Sequence, residues 1–234
     1  MEKQLIIVAD DYGIREASMP ILHLAREGLV DRVAVLVHFV SAEDAQALMK
    51  TGVALDIHLE LIHFLGRGDY EGDSTVKRLG NFFWHMMCGD LAPRLVKEEW
   101  RAQIELFREK FGRLPDGMNS HEHVHFFPLF FSAFLQVAEE YSITYTRFGS
   151  RGILGDVRFH PAKSILSFLH GLNRNLWREK LLPTSDYLVS VDWIDNIHHF
   201  LRHLPEGRTE IVAHPERPSE AKLLRIFKKT AEKE

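Results

Sequence analysis

Short apolar runs alternate with amphipathic stretches along the 234 residues of this chain. Residues 4–9 are the first run and read as a buried strand. Residues 15–28 follow with Ala17, Ile21, Leu22 and Leu24 on one helical face and Gly28 as a stop. Residues 32–38 read as a second strand. Ser41 then opens a helix with Glu43 and Asp44 in its first turn, where the helix dipole favours negative charge, and this helix ends near Gly52. Residues 53–58 make a third strand. Leu95–Phe111 is a helix with Val96, Trp100, Ile104 and Phe107 at helical spacing and Gly112 and Pro115 beyond it. Residues 117–121 form a strand-to-loop point, Pro128–Tyr141 an apolar helix, 143–147 a strand ending on Arg147, and 161–180 a basic helix. A strand over 187–192, a helix over 194–204, a strand over 209–214 and a closing helix over 219–231 complete the pattern.

Residues 62–92 break the alternation. Five glycines punctuate them, and Phe82-Phe83-Trp84 is an aromatic cluster, so they read as an excursion at the rim rather than a linker. Repeated β-then-α units with right-handed crossovers predict a parallel sheet, either a barrel or a doubly wound sheet. With no repeat and no linker composition, residues 1–234 read as a single domain.

The strand ends carry the informative residues. Leu5-Ile6-Ile7-Val8-Ala9 runs into Asp10-Asp11-Tyr12-Gly13; Val53 to Ile57 runs into His58; Gly117-Met118-Asn119 runs into Ser120-His121-Glu122-His123-Val124-His125; Glu210 to Ala213 runs into His214-Pro215. A parallel sheet gathers such ends at one rim, and here they are carboxylates and imidazoles.

Composition narrows the class. Hydrophobic residues are 45% and charged residues 26%, an ordinary globular balance. A formal charge of −4 argues against nucleic acid as a partner. Cys88 is the only cysteine, which excludes an intrachain disulfide and a cysteine metal cluster and fits a reducing compartment; it reads as a packed small hydrophobe. The N-terminal stretch does not read as a signal peptide, and no run approaches the ~20 apolar residues of a membrane span. The expectation is a soluble cytoplasmic protein without stable membrane insertion, with a homodimer left open.

Asp10 and Asp11 cannot both sit buried and charged without a cation or hydrogen-bond donors. On an extended backbone they point to opposite faces, so one can bind a metal while the other faces the substrate water, and Gly13 permits a tight turn straight after. His121 and His125 have the spacing of a helical metal pair, but their context is a strand-end loop, so spacing does not decide which histidines converge. An Asp and two His around one divalent ion, with positions open for water and substrate, form a catalytic arrangement suited to hydrolysis of an amide or ester.

These four segments resemble, in order and rough spacing, the YdjC-type carbohydrate deacetylase family, which includes the chito-oligosaccharide deacetylases; the Ser-His-x-His-Val-His string is the most specific of them. The resemblance implies a distorted, TIM-like (β/α) barrel and removal of the acetyl group from an N-acetylated sugar. It implies Asp11, His58 and His121 as ligands of one divalent metal ion (Mg or Zn), Asp10 as the base and His214 as the general acid. His123 and His125 would line the pocket, and Tyr12 and Arg147 complete the candidate substrate-binding set. The donor set itself leans toward Zn. The chain departs from the family pattern at Val8, Asn119, Glu122 and Glu216, but no implied ligand is lost.

Two other readings stand beside it. A metal-dependent phosphoesterase on the same barrel would need cations at the rim, for which Arg147 and Arg151 are the candidates. A sugar-binding relic would have lost its metal ligands or base. Phe82, Phe83, Trp84, Phe126, Phe127, Phe130 and Phe131 crowd near the expected rim and could stack on a sugar or an acyl tail, although Phe130 and Phe131 suit a helix core.

Overall fold

The computed structural model describes residues 2–61, 84–85, 88–155 and 160–231. The expected excursion, with Phe82 and Phe83, therefore lies mainly outside the described residues. Among the described residues seven strands alternate with helices in chain order: β1 (Lys3–Tyr12), α1 (Arg15–Arg26), β2 (Arg32–Val35), α2 (Ala42–Met49), β3 (Ala54–Leu59), α3 (Pro93–Phe111), β4 (Gly117–Ser120), α4 (Pro128–Glu140), β5 (Gly152–Ile153), α5 (Pro161–Lys180), β6 (Tyr187–Ser190), α6 (Ile197–Arg202), β7 (Gly207–Ala213) and α7 (Pro218–Ala231).

The sheet order is β4-β3-β2-β1-β7-β6-β5, and every pairing is parallel. That order is cyclic, so the sheet curls toward closure as a distorted (β/α) barrel with helices outside. The gap between β4 and β5 is spanned by residues 144–150, whose first part falls in the strand expected over 143–147. They make only one bridge, between Met118 and Thr146. Arg147 N–H donates to Met118 O at 3.1 Å, whereas Thr146 N–H turns the other way to Pro183 O at 2.8 Å. A segment that serves two edges in turn cannot build a ladder with either.

Local chemistry explains most boundaries. Ser41 caps α2 in a reciprocal capping box with Asp44, as its first-turn acids predict. Gly112, at φ 68°, ends α3 in the left-handed conformation. The strand expected over 32–38 stops at Val35 and tightens into a 3-10 turn over Val37–Phe39. Trp100, Ile104 and Phe107 of α3 are fully buried, each contributing roughly 1.5–3 kcal/mol from apolar surface removed from water. Phe126, Phe130 and Phe131 are likewise fully buried, so they form core rather than rim. Cys88 is exposed, contrary to its expected packing.

Candidate active site

All the strands deliver their C-terminal ends to one rim, and the pocket there is lined by Asp10, Asp11, His58, Ser120, His121 and His123, with His214 and Glu216 facing them. The two aspartates reach it by a backbone irregularity. Register between β1 and β2 shifts between Ala9 and Tyr12, and Asp11 takes φ 72°. Left-handed backbone is costly for a non-glycine residue and marks functional sites. The bulge cancels the alternation expected of an extended pair, so Asp10 and Asp11 open into the same cavity.

Asp11, His58 and His121 each place a ligand atom within 4.8 Å of the others. Asp11 Oδ1 lies 3.2 Å from His58 Nε2 and accepts from His121 Nδ1 at 2.7 Å. Burial raises the Asp11 carboxyl, but His121 and His58 outweigh it and hold it well below the usual range. Burial lowers His121, and Asp11 more than reverses that, so its pKa is raised. His58 Nδ1–H donates to Asn119 Oδ1, which holds the ring from behind and turns Nε2 toward Asp11. An ionised carboxylate and two imidazoles, one with its tautomer fixed from behind, fit a divalent cation.

Asp10 sits beside this trio, 3.8 Å from His58 Nε2. It accepts two bonds from Arg147, Nη1 to Oδ2 at 2.6 Å and Nη2 to Oδ1 at 2.8 Å. Burial alone would raise Asp10, yet Arg147, with help from His58 and His214, holds it at about 2. Asp10 is thus a carboxylate at any working pH. His214 follows β7, the strand beside β1, and lines the same pocket, with Nδ1 3.7 Å from Glu220 Oε2, an ionic rather than a hydrogen-bonded separation. Burial pulls its imidazole down, but Glu220, Asp11 and Asp10 push it up to about 9. An ionised carboxylate and an imidazolium thus share one pocket with Asp11, His58 and His121.

The histidine-rich turn separates its members. Glu122 and His123 adopt φ 52° and 53° inside the 3-10 segment His121–Phe126, so the segment is not a helix carrying a ligand pair. His123 lines the pocket; burial, with Arg147 nearby, drops it to about 3 and keeps it neutral. Its Nδ1 has no hydrogen-bond partner among the described residues. His125 turns inward and is fully buried. Its Nε2–H donates to Arg147 O at 3.0 Å and its Nδ1 accepts from Ser120 Oγ at 2.5 Å.

Three residues expected to meet substrate are therefore placed elsewhere. His125 latches the turn to the backbone of Arg147. Arg147 is fully buried, and its guanidinium is spent on Asp10 and Glu210. Tyr12 is fully buried and its hydroxyl donates to Asp44 O at 2.9 Å, tying β1 to α2. Conversely, Trp193, Asp192 and Arg217 line the pocket without having been singled out as site residues. The strand expected over 187–192 could have flagged the first two, since its end belongs to the same rim.

Over residues 4–234 the chain matches the YdjC-like protein family, and it belongs to that family. A carbohydrate deacetylase of Danio rerio is 33% identical over 153 residues, which cover 62% of this chain and 49% of that protein. A carbohydrate deacetylase of Mus musculus is 26% identical, covering 92% of this chain and 79% of its own length. A chitooligosaccharide deacetylase of Escherichia fergusonii is 30% identical over 147 residues, covering 61% of this chain and 58% of that protein. The chain thus spans about half the length of the zebrafish relative. A crystal structure from Enterococcus faecalis V583, described provisionally as a cellobiose-phosphate cleavage protein, superposes with a TM-score of 0.61 at 22% identity, covering 92% of this chain and 81% of that one, and shares the fold.

Proposed function

We propose that this protein is a metal-dependent hydrolase that removes the acetyl group from an N-acetylated sugar. The observation that carries the reading is the pocket itself, where a carboxylate held ionised and an imidazolium share the lining with a trio fit for one divalent ion. Asp11, His58 and His121 would hold the ion, which when bound supplies Lewis-acid polarisation of the acetyl carbonyl and acidifies a water. Asp10 accepts the proton that the attacking water releases. His214 carries a proton into the reaction and donates it to the sugar nitrogen as the amide C–N bond breaks, so acetate and a free amine leave. Neutral His123 offers a ring nitrogen to the substrate.

The placement of the arginines favours amide over phosphoester hydrolysis. Arg147 is enclosed, Arg151 pairs with Asp186 at 3.2 Å outside the pocket, and Arg217 pairs with Glu220 at 2.8 Å. Among these three only Arg217 lines the pocket, and there it is already paired with a carboxylate, which leaves little free positive charge for a transferring phosphoryl group. The names of the relatives support the sugar substrate.

Metal analysis of the purified protein, followed by an acetate-release screen over N-acetylated sugars with generic phosphoesters alongside, tests the reading. Asp10→Asn is expected to keep its metal and lose activity by about 10²–10⁴-fold. Metal lost from Asp10→Asn but kept in Asp11→Asn would reverse the two aspartates, and phosphate release without acetate release would replace the reaction.

A further inference from the structure

We propose that Glu210, braced by Tyr145, is a positioning residue that clamps Arg147 and through it fixes Asp10 at the pocket floor. The inference rests on the reading of Asp10 as the base. Glu210 lies on β7 four residues before His214. In the β1–β7 register Ile6 pairs with Glu210 and Val8 with Val212, so one pair further along the same side come Asp10 and His214. Glu210 thus sits two layers beneath the acid, inside the barrel, with no exposure.

Its two oxygens are divided. Oε1 accepts from Arg147 Nε at 2.5 Å, and Oε2 accepts from the Tyr145 hydroxyl at 2.6 Å. Arg147 spends its remaining edge on Asp10. One guanidinium is therefore gripped from two sides, and it cannot rotate without breaking bonds to both carboxylates. The far end is anchored as well. The Tyr145 ring carries the Arg32 guanidinium 4.3 Å from its centroid, and Arg32 is bound by Asp56. The line Asp56–Arg32–Tyr145–Glu210–Arg147–Asp10 crosses the barrel interior, where packed apolar layers are the usual filling.

Charge counting separates a clamp from a plain ion pair. Asp10 and Arg147 already balance. Adding Glu210 buries a second carboxylate, which desolvation penalises and which pairing alone did not require. What the second carboxylate adds is direction: it aims Nη1 and Nη2 upward, and it shares the cation that Asp10 would otherwise hold alone. A misplacement of about 1 Å in such a group can cost 10²-fold in rate.

The test compares wild type, Glu210→Gln and Tyr145→Phe, each alone and combined with Asp10→Asn. Glu210→Gln keeps the shape and removes the charge. It is expected to lower kcat for acetate release by about 10- to 100-fold, with KM within about twofold and metal content unchanged. Tyr145→Phe is expected to lose several-fold by the same split. In the Asp10→Asn background neither change should lower the residual rate further, because both act through Asp10. Equal proportional losses in both backgrounds, or a Glu210→Gln kcat equal to wild type, would overturn the proposal. Urea midpoints give a readout independent of turnover: the shifts from Glu210→Gln and Asp10→Asn should be non-additive, since both partners share Arg147. Additive shifts overturn the clamp. If wild type releases no acetate while the midpoints stay coupled, the deacetylase reading falls and the clamp stands. Should Glu210→Gln fail to fold, Tyr145→Phe decides by the same two measurements.

Discussion

His214 is raised to about 9 in the folded chain by Glu220 and the two aspartates, against about 6.5 for an unfolded histidine. A group whose folded pKa is raised stabilises the fold fully below its unfolded pKa and loses that contribution as pH climbs through the folded value. The window is therefore about pH 6.5 to 9, and the shift sets a ceiling of roughly 3 kcal/mol. In metal-free protein, the difference in urea stability between wild type and His214→Gln is expected to be largest at or below pH 6.5 and gone above pH 9. A difference that grows with pH would mean that His214 is held neutral, and would remove it as the acid. Asp10, Asp11, His58, His121 and His214 could be singled out in the sequence because each follows an apolar run, and a parallel sheet delivers such residues to one rim. Arg147, His125 and Tyr12 sit at the same kinds of position, yet their side chains turn to Glu210, Ser120 and Asp44, partners 63, 5 and 32 residues away. For Arg147 and Tyr12 nothing local encodes those directions, and for His125 the direction depends on the left-handed backbone of Glu122 and His123.

The first βα turn shows what an element must satisfy to hold the aspartates. Gly13 adopts φ 121°, and a Cβ there would lie 2.8 Å from Leu36 O and 3.1 Å from Val40 Cγ2. Both the conformation and the space exclude a side chain, so the tight turn expected of Gly13 is a steric requirement. Gly13→Ala is expected to cost about 1–3 kcal/mol in urea unfolding. It should also weaken metal binding, because the strain passes straight to Asp11 two residues back. An unchanged midpoint would show that the turn gives way freely. Caps and stops were legible for the same reason: Ser41 with Asp44 and Gly112 act within one turn. Residues 143–147 were not, because their β-branched and aromatic composition favours a strand wherever an edge is free. Here Met118 and Pro183 take alternate hydrogen bonds, a competition visible only once β4 and the approach to β6 are in place.

At the scale of the whole molecule, the three proposed ligands come from β1, β3 and the turn after β4, so an ion bound there would tie together segments separated by up to 110 residues. A cation that binds only the folded chain stabilises it by mass action, about 2.7 kcal/mol at a hundredfold excess over Kd. For a chain of this size each kcal/mol moves the melting temperature by roughly 2–4 °C, so a chelator is expected to lower it by about 5–10 °C. Zinc should give less than its affinity suggests, because the unfolded chain exposes 14 histidines that compete for it. Manganese or cobalt titrations report the site with less of that loss. The shift should vanish in His121→Ala and persist in Asp10→Asn, which separates holding the ion from using it. A melting temperature indifferent to both chelator and metal would mean that the three strand ends converge without ever gripping a cation, and the buried carboxylate at Asp11 would then need another counter-charge to account for it.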